Sequence, residues 1–215
     1  MVLPGRRQQR RLHHLDVGRA QLLDAAEEVF GRKGYHATTL KEVADLAEFS
    51  VGSVYSYFEN KDDLYAHVFL RRGIEMVAAM RQAVEGGATP VDQLHRLVDA
   101  QVGFFRAHPH FGRLYLRTAI TDLPALRTDL DTTQMATLRE AWALQTDLFA
   151  RGQRAGELRD GDPFALARLL SGIVSAFQAT DPLVMGTGTA PGPATTGPTA
   201  ALALLHAVVE DGFHR

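Results

Sequence analysis

The chain has 215 residues, 46% of them hydrophobic, with 23 basic and 25 acidic side chains and a formal charge of −2. That balance excludes a globally basic coat for nucleic acid, and the absence of cysteine excludes a disulfide framework, a thiolate metal site and a cysteine nucleophile. No run of about 18 apolar residues exists to span a bilayer, and the N-terminus lacks the apolar stretch of an export signal, so a cytoplasmic protein without membrane contact is expected.

Apolar residues recur at helical spacing almost throughout and no segment alternates with period two, which predicts an all-α chain of about nine helices. Four arginines, Arg6, Arg7, Arg10 and Arg11, precede the first acid, Asp16. Residues 1–15 therefore read as a basic arm, either lying along phosphates or in a minor groove, or serving as a solubilising tail. A first helix is expected to start at Asp16 as N-cap, to turn Leu22, Leu23, Ala26, Val29 and Phe30 inward, and to stop at a left-handed Gly34. Thr39 and Glu42 have the spacing of a capping box and open a second, two-turn helix. Ser50 is placed to cap a third helix and Asn60 a fourth, with Asp62 and Asp63 in the first turn, where the helix dipole favours anions.

The segment from Ala44 to Lys61 is the most informative in the chain, because two short helices joined by a tight turn present serines, tyrosines and a lysine. In a helix-turn-helix the second helix enters the major groove, and its N-terminal residues and outward face reach bases and phosphates. Helical spacing assigns Val54 and Phe58 to the core and turns Ser50, Val51, Ser53 and Tyr57 away from it. Gly52 permits close approach of the backbone, while Tyr55 and Ser56 carry hydroxyls suited to phosphate oxygens. Lys61 stands in a first helical turn, where a cation opposes the macrodipole. A bound phosphate would compensate it.

With its flanks, this run resembles the DNA-binding domain of the TetR (tetracycline repressor) family of bacterial regulators over residues 16–64. The resemblance is carried by Phe30, Gly34-Tyr35, Ala37-Thr38-Thr39, Glu42-Val43-Ala44, Ser50, Gly52, Val54-Tyr55, Tyr57-Phe58 and Lys61. It implies a three-helix helix-turn-helix domain at residues 16–62 and a helical-bundle ligand-binding and dimerisation domain at 63–215. Thr38, Thr39, Ser50, Val51, Gly52, Ser53, Tyr55, Ser56, Tyr57 and Lys61 become the candidate DNA contacts. Two residues depart from the family pattern: Glu48 occupies a turn position often held by glycine, and Phe49 replaces a smaller apolar residue. Val51, apolar where relatives carry a polar side chain, points to a thymine methyl contact.

Beyond the head, helices are expected at about 61–84, 91–107, 109–120, 124–154, 163–180 and 199–209, with a Gly/Pro/Thr-rich loop at 186–198. Between Phe164 and Val209 only Arg168 and Asp181 are charged, and Ser171, Ser175 and Gln178 interrupt the apolar run, so the segment is expected to be buried against protein. By the resemblance, the last two long helices pair with those of a second subunit, with Leu169, Ile173, Phe177, Leu202, Leu205 and Val209 as interface candidates; chain core is the competing assignment. Met76, Met80, Phe104, Phe105, Tyr115, Arg117, Trp142 and Phe149 could line a pocket for a small molecule or could be plain core. No catalytic grouping and no metal-ligand spacing is evident, and no cofactor is expected. The expectation is a homodimeric, non-enzymatic regulator, a repressor released from a palindromic DNA operator by a small-molecule effector. The alternative keeps the DNA head and makes the body a protein-interaction platform, which a polar pocket closed by packing would favour.

Overall fold

The computed structural model describes residues 6–121, 132–186 and 197–215; among these the chain is helical, with one isolated β-bridge between Leu158 and His214. The helices in order are α1 (Arg6–Lys33), α2 (Leu40–Leu46), α3 (Val51–Tyr57), α4 (Lys61–Glu85) and α5 (Pro90–Ala107). They continue with α6 (Pro109–Thr121), α7 (Thr132–Ala155), α8 (Pro163–Gln178), the single turn α9 (Pro182–Met185) and α10 (Pro198–Phe213). The chain divides into two compact units between Phe69 and Leu70. The division falls later than the expected boundary at 62/63 because the first turns of α4 bury Leu64, Tyr65 and Val68 in the head, where Tyr65 meets the Phe30 ring edge-on at 5.0 Å.

In the head, α1 begins at Arg6 instead of Asp16. No glycine or proline separates these positions, and the arginines and glutamines before Asp16 are good helix formers, so nothing stops the helix from extending backwards. Asp16 is thus an exposed residue inside α1, not its cap. Residues 1–5 and the side chains of Arg6, Arg7, Arg10 and Arg11, on which the reading of a basic arm turns, lie outside the described residues. The C-terminal stop of α1 is as expected: Gly34 adopts φ 80°, and its N–H donates to the Phe30 carbonyl at 2.7 Å. Phe30 is fully buried there, worth about 1.5–3 kcal/mol relative to exposure.

Both arms of the α2 capping box form. The Thr39 hydroxyl accepts from the Glu42 N–H at 3.3 Å, and the Glu42 carboxylate accepts from the Thr39 N–H at 3.0 Å. The α2–α3 turn is a Schellman closure: the Phe49 N–H donates to the Ala44 carbonyl at 2.9 Å and the Glu48 N–H to the Asp45 carbonyl at 3.3 Å. Its left-handed residue is Glu48, at φ 60°, the only non-glycine with positive φ among the described residues. Ser50 caps α3 by accepting from the Ser53 N–H at 3.0 Å, and the Asn60 side chain accepts from the Asp63 N–H at 2.9 Å.

The body is organised by α5, α7 and α8, whose inward faces share one core with α4 and α10: Met80 from α4, Leu97 from α5, Leu148 and Phe149 from α7, Leu170 from α8 and Val209 from α10. Thr89-Pro90, Asp162-Pro163 and Asp181-Pro182 each start a helix, with the Thr or Asp side chain accepting a backbone N–H of the first turn. The third of these starts produces α9, a turn that the sequence reading passes over; Gly186 at φ 83° ends it. Asp181 is buried, and besides capping α9 it accepts from the Arg106 Nε at 2.7 Å. The end of α10 is tied to the segment after α7 by the Arg159 N–H to the Phe213 carbonyl at 2.8 Å and the Arg215 N–H to the Glu157 carbonyl at 3.1 Å. The expected helix start at Pro124 and most of the expected loop at 186–198 lie outside the described residues.

Helix α10 turns a different face inward from the one expected. Leu205, Val209 and Phe213, one helical turn apart, are buried in the chain's own core, whereas Leu204 and Val208 are exposed. This helix is apolar nearly all round, so periodicity alone cannot choose its face. Of the other residues expected at a subunit interface, Leu169 is exposed, and Ile173, Phe177 and Leu202 are half-buried against the core.

Candidate nucleic-acid interface and body cavity

Helix α3 is held by its inner face and open on its outer one. Val54 and Phe58 are buried. At its C-terminal end the Tyr57 carbonyl accepts from an Arg19 guanidinium N–H at 3.1 Å, and that guanidinium also lies 4.5 Å over the Phe58 ring. With α3 fixed in this way, its N-terminal and outward groups are free to meet a ligand. Tyr55 is 57% exposed, Ser50, Gly52 and Ser56 are exposed, and Val51 and Ser53 are half-exposed. A Cβ at Gly52 would meet nothing nearer than the Ser50 Oγ at 3.8 Å, so its surface is bare backbone. The Ser50 and Ser53 hydroxyls lie 2.8 Å apart, and the Ser56 hydroxyl donates to the Ser53 carbonyl at 2.6 Å. Thr39 is exposed beside this face, its hydroxyl engaged in the capping box.

Three candidate contacts are placed otherwise. Thr38 is 2% exposed and its hydroxyl donates to the Gly34 carbonyl at 2.8 Å, so this side chain serves the turn after α1 and is withdrawn from the surface. Tyr57 is half-buried: its ring packs edge-on to Phe49 at 6.3 Å, and its hydroxyl lies 2.6 Å from where a Cβ on Gly18 would stand. Glycine at position 18 of α1 is therefore what makes room for Tyr57, whose ring faces α1 instead of pointing away from the core. The Lys61 ammonium donates to the Tyr35 and Thr38 carbonyls, each at 3.1 Å, and sits 4.3 Å over the Tyr35 ring. Those groups offset its unfavourable place at the start of α4, the role that the sequence argument gave to a phosphate.

Charge around this face is mixed. The Lys33 ammonium pairs with Glu42, and together with the Thr39 N–H it holds the Glu42 carboxyl down at about 2. Exposed Lys41, which the sequence reading did not single out, hydrogen-bonds Asp45 at 2.6 Å, and that bond raises its pKa. Glu48 adds an exposed anion at the turn itself.

In the body, a small cavity open to solvent is lined in part by Met76, Met80, Phe105, Tyr115, Ala141 and Trp142. Five of the expected pocket residues are among these. Phe149 is instead sealed in the core and Arg117 is exposed; neither lines the cavity, nor does Phe104, which packs against Phe111 and His108. The rest of the lining, absent from the sequence expectations, is Gln101, Gln145, Ser171, Val174, Ser175 and Gln178. Its sequence signal is that Ser171, Ser175 and Gln178 interrupt an apolar helix at spacings of four and three, which places them on one face. The Ser171 hydroxyl donates to the Gln145 Oε1 at 3.1 Å, whereas the buried Gln101 and Gln178 amide nitrogens have no acceptor among the described residues.

An anchored helix with a bare glycine and exposed hydroxyls at its entry, following a two-turn helix and a tight turn, defines a helix-turn-helix DNA-binding protein. Residues 22–68 match the family model described as bacterial regulatory proteins, tetR family. This match places the head in the TetR family of bacterial regulatory proteins. It is 39% identical over 100 residues to the HTH-type transcriptional activator FasR of Mycolicibacterium smegmatis, a match covering 46% of this chain and 44% of that relative. It is 25% identical over 155 residues to the HTH-type transcriptional repressor KstR of Mycobacterium tuberculosis, covering 72% of this chain and 66% of that one. The chain thus spans about half to two thirds of these curated relatives. Its fold is similar to that of the transcriptional regulator FadR of Bacillus subtilis in complex with stearoyl-CoA, with a TM-score of 0.71 at 20% identity, over 89% of this chain and 95% of that one.

Proposed function

We propose that the protein is a cytoplasmic, homodimeric transcriptional repressor that grips a palindromic operator through two α3 helices and is released when a small molecule enters the body cavity. The observation that carries the DNA half is the α3 surface: Ser50, Gly52, Tyr55 and Ser56 exposed on a helix whose far side is locked by Val54, Phe58 and Arg19. A single head of this size binds weakly, and two on a two-fold axis reach half-sites about one DNA turn or more apart. The exposed apolar residues Leu169 of α8 and Leu204 and Val208 of α10 supply the surface for the second copy, in place of Leu205 and Val209.

Release is a population shift: an effector that fits the cavity only in one setting of α4, which contributes Met76 and Met80 to the wall, draws the pair of heads away from matched grooves. Linkage requires the operator to weaken effector binding by the same factor. The polar lining is what the interaction-platform alternative asks for, but the cavity is open to solvent instead of closed by packing, which weighs for the small-molecule reading.

The test is operator binding after selection of bound DNA fragments. Tyr55→Ala is expected to weaken binding roughly tenfold with helix content intact. If Lys61 also reaches a phosphate, Lys61→Ala lowers the salt-dependence slope by about one. A Leu204→Glu, Val208→Glu double variant should be monomeric and lose the operator. Unchanged binding by both the Tyr55 and the double variant would remove the proposal.

A further inference from the structure

The cavity's chemistry restricts what can fill it, and this inference rests on the reading of the cavity as an effector site. Among the described residues its lining holds no lysine, arginine, histidine, aspartate or glutamate. Gln101 on α5 and Gln178 at the end of α8 are 8% and 1% exposed, both border the cavity, and neither amide nitrogen has an acceptor among the described residues. Gln145, which also lines the cavity, is different: its oxygen accepts from Ser171 and its nitrogen donates to the Ala141 carbonyl at 3.3 Å. Buried polar groups are nearly always partnered, so two unpartnered amide donors bordering one cavity are a feature to be explained. The methionines, Phe105 and Trp142 add an adaptable apolar surface to the lining.

We infer that the cavity takes an apolar molecule bearing an uncharged hydrogen-bond acceptor, a carbonyl of the ester, thioester, amide or ketone kind, which receives the Gln101 and Gln178 N–H groups. A carboxylate is excluded because no cation among the described residues lines the cavity to offset its desolvation. Burial already pushes the Tyr115 phenol up, the direction a medium hostile to anions imposes. A cationic ligand fails for the converse reason, there being no carboxylate to receive it, and a pure hydrocarbon leaves both donors without an acceptor.

Trp142, the one tryptophan of the chain, lines the cavity, so its fluorescence reports occupancy directly. The full-length protein is titrated at pH 8 with methyl decanoate, decanamide and decanoate, which share a chain and differ in the head group. Ester and amide should change the Trp142 emission saturably, with ionised decanoate at least about tenfold weaker. Gln178→Leu and Gln101→Leu should each weaken the ester about tenfold and leave the melting temperature of the free protein unchanged or raised, because an unpartnered buried donor has been removed. A purely structural glutamine would lower it. Decanoate binding as tightly as the ester, an ester affinity untouched by both variants, or no response to the ester or amide would each overturn the inference. Operator release is measured separately: an ester that binds without releasing DNA sinks the repressor mechanism and leaves the ligand class standing.

Discussion

Glu48 is the residue at which turn geometry and DNA electrostatics can be separated experimentally. It holds the left-handed position of the α2–α3 turn at φ 60°, a conformation that costs an L-residue about 1–2 kcal/mol and glycine almost nothing. Against that gain, glycine loses about 0.5–1 kcal/mol more conformational entropy on folding. The net expectation for Glu48→Gly is a stabilisation of about 0.5–1 kcal/mol, or about 1–4 °C in melting temperature for a chain of this size. Removing an exposed anion beside the reading helix should also raise operator affinity roughly twofold to fivefold at low salt, an effect that fades as salt is added. Glu48→Ala is the control: it removes the charge but keeps a Cβ in the left-handed region, so it should gain the affinity without the stability. Chemical denaturation and operator titration of the three proteins decide the matter. Equal stability of the glycine and alanine variants would refute the strain argument, and equal operator affinity of all three at low salt would place Glu48 away from the phosphates.

Thr38→Val should lower stability by about 1 kcal/mol through loss of the hydroxyl bond to the Gly34 carbonyl, while the folded variant keeps its operator affinity within about twofold; a large affinity loss without destabilisation would return Thr38 to the DNA surface. Asp181→Ala removes the cap of α9 and the partner of Arg106 together and should cost about 2–4 kcal/mol by denaturant titration. Glu42 titrates at about 2 in the folded head against 4.5 unperturbed, so its contribution is complete above about pH 4.5 and is lost as pH falls through about 2. Glu42→Gln should flatten the stability profile across that window, and a profile identical to wild type would show that the Lys33 and Thr39 contacts are not held in solution.

Much of this fold is legible along the chain because its signals are local. Gly34, the Thr39–Glu42 box, Ser50, Asn60 and the Thr/Asp-Pro starts each act within a few residues, and each sets the helix end that its chemistry dictates. The errors arise where a partner distant in sequence decides. Tyr57 faces α1 because Gly18, 39 positions earlier, leaves it space, and Lys61 is engaged by carbonyls at 35 and 38 that no helical periodicity reveals. The inward face of α10 was ambiguous for another reason: with Leu and Val on every side, only packing selects Leu205 and Val209 over Leu204 and Val208. On α8, Ser171, Ser175 and Gln178 read along the chain as interruptions of an apolar run, and it is their common face that brings them to the cavity lining.

Helix α4 is a single uninterrupted element of 25 residues, burying Leu64 and Val68 near its start and Met80 and Val84 near its end. At 1.5 Å per residue it is about 37 Å long, and a proline set near its middle would cost about 3 kcal/mol or more in helix continuity alone.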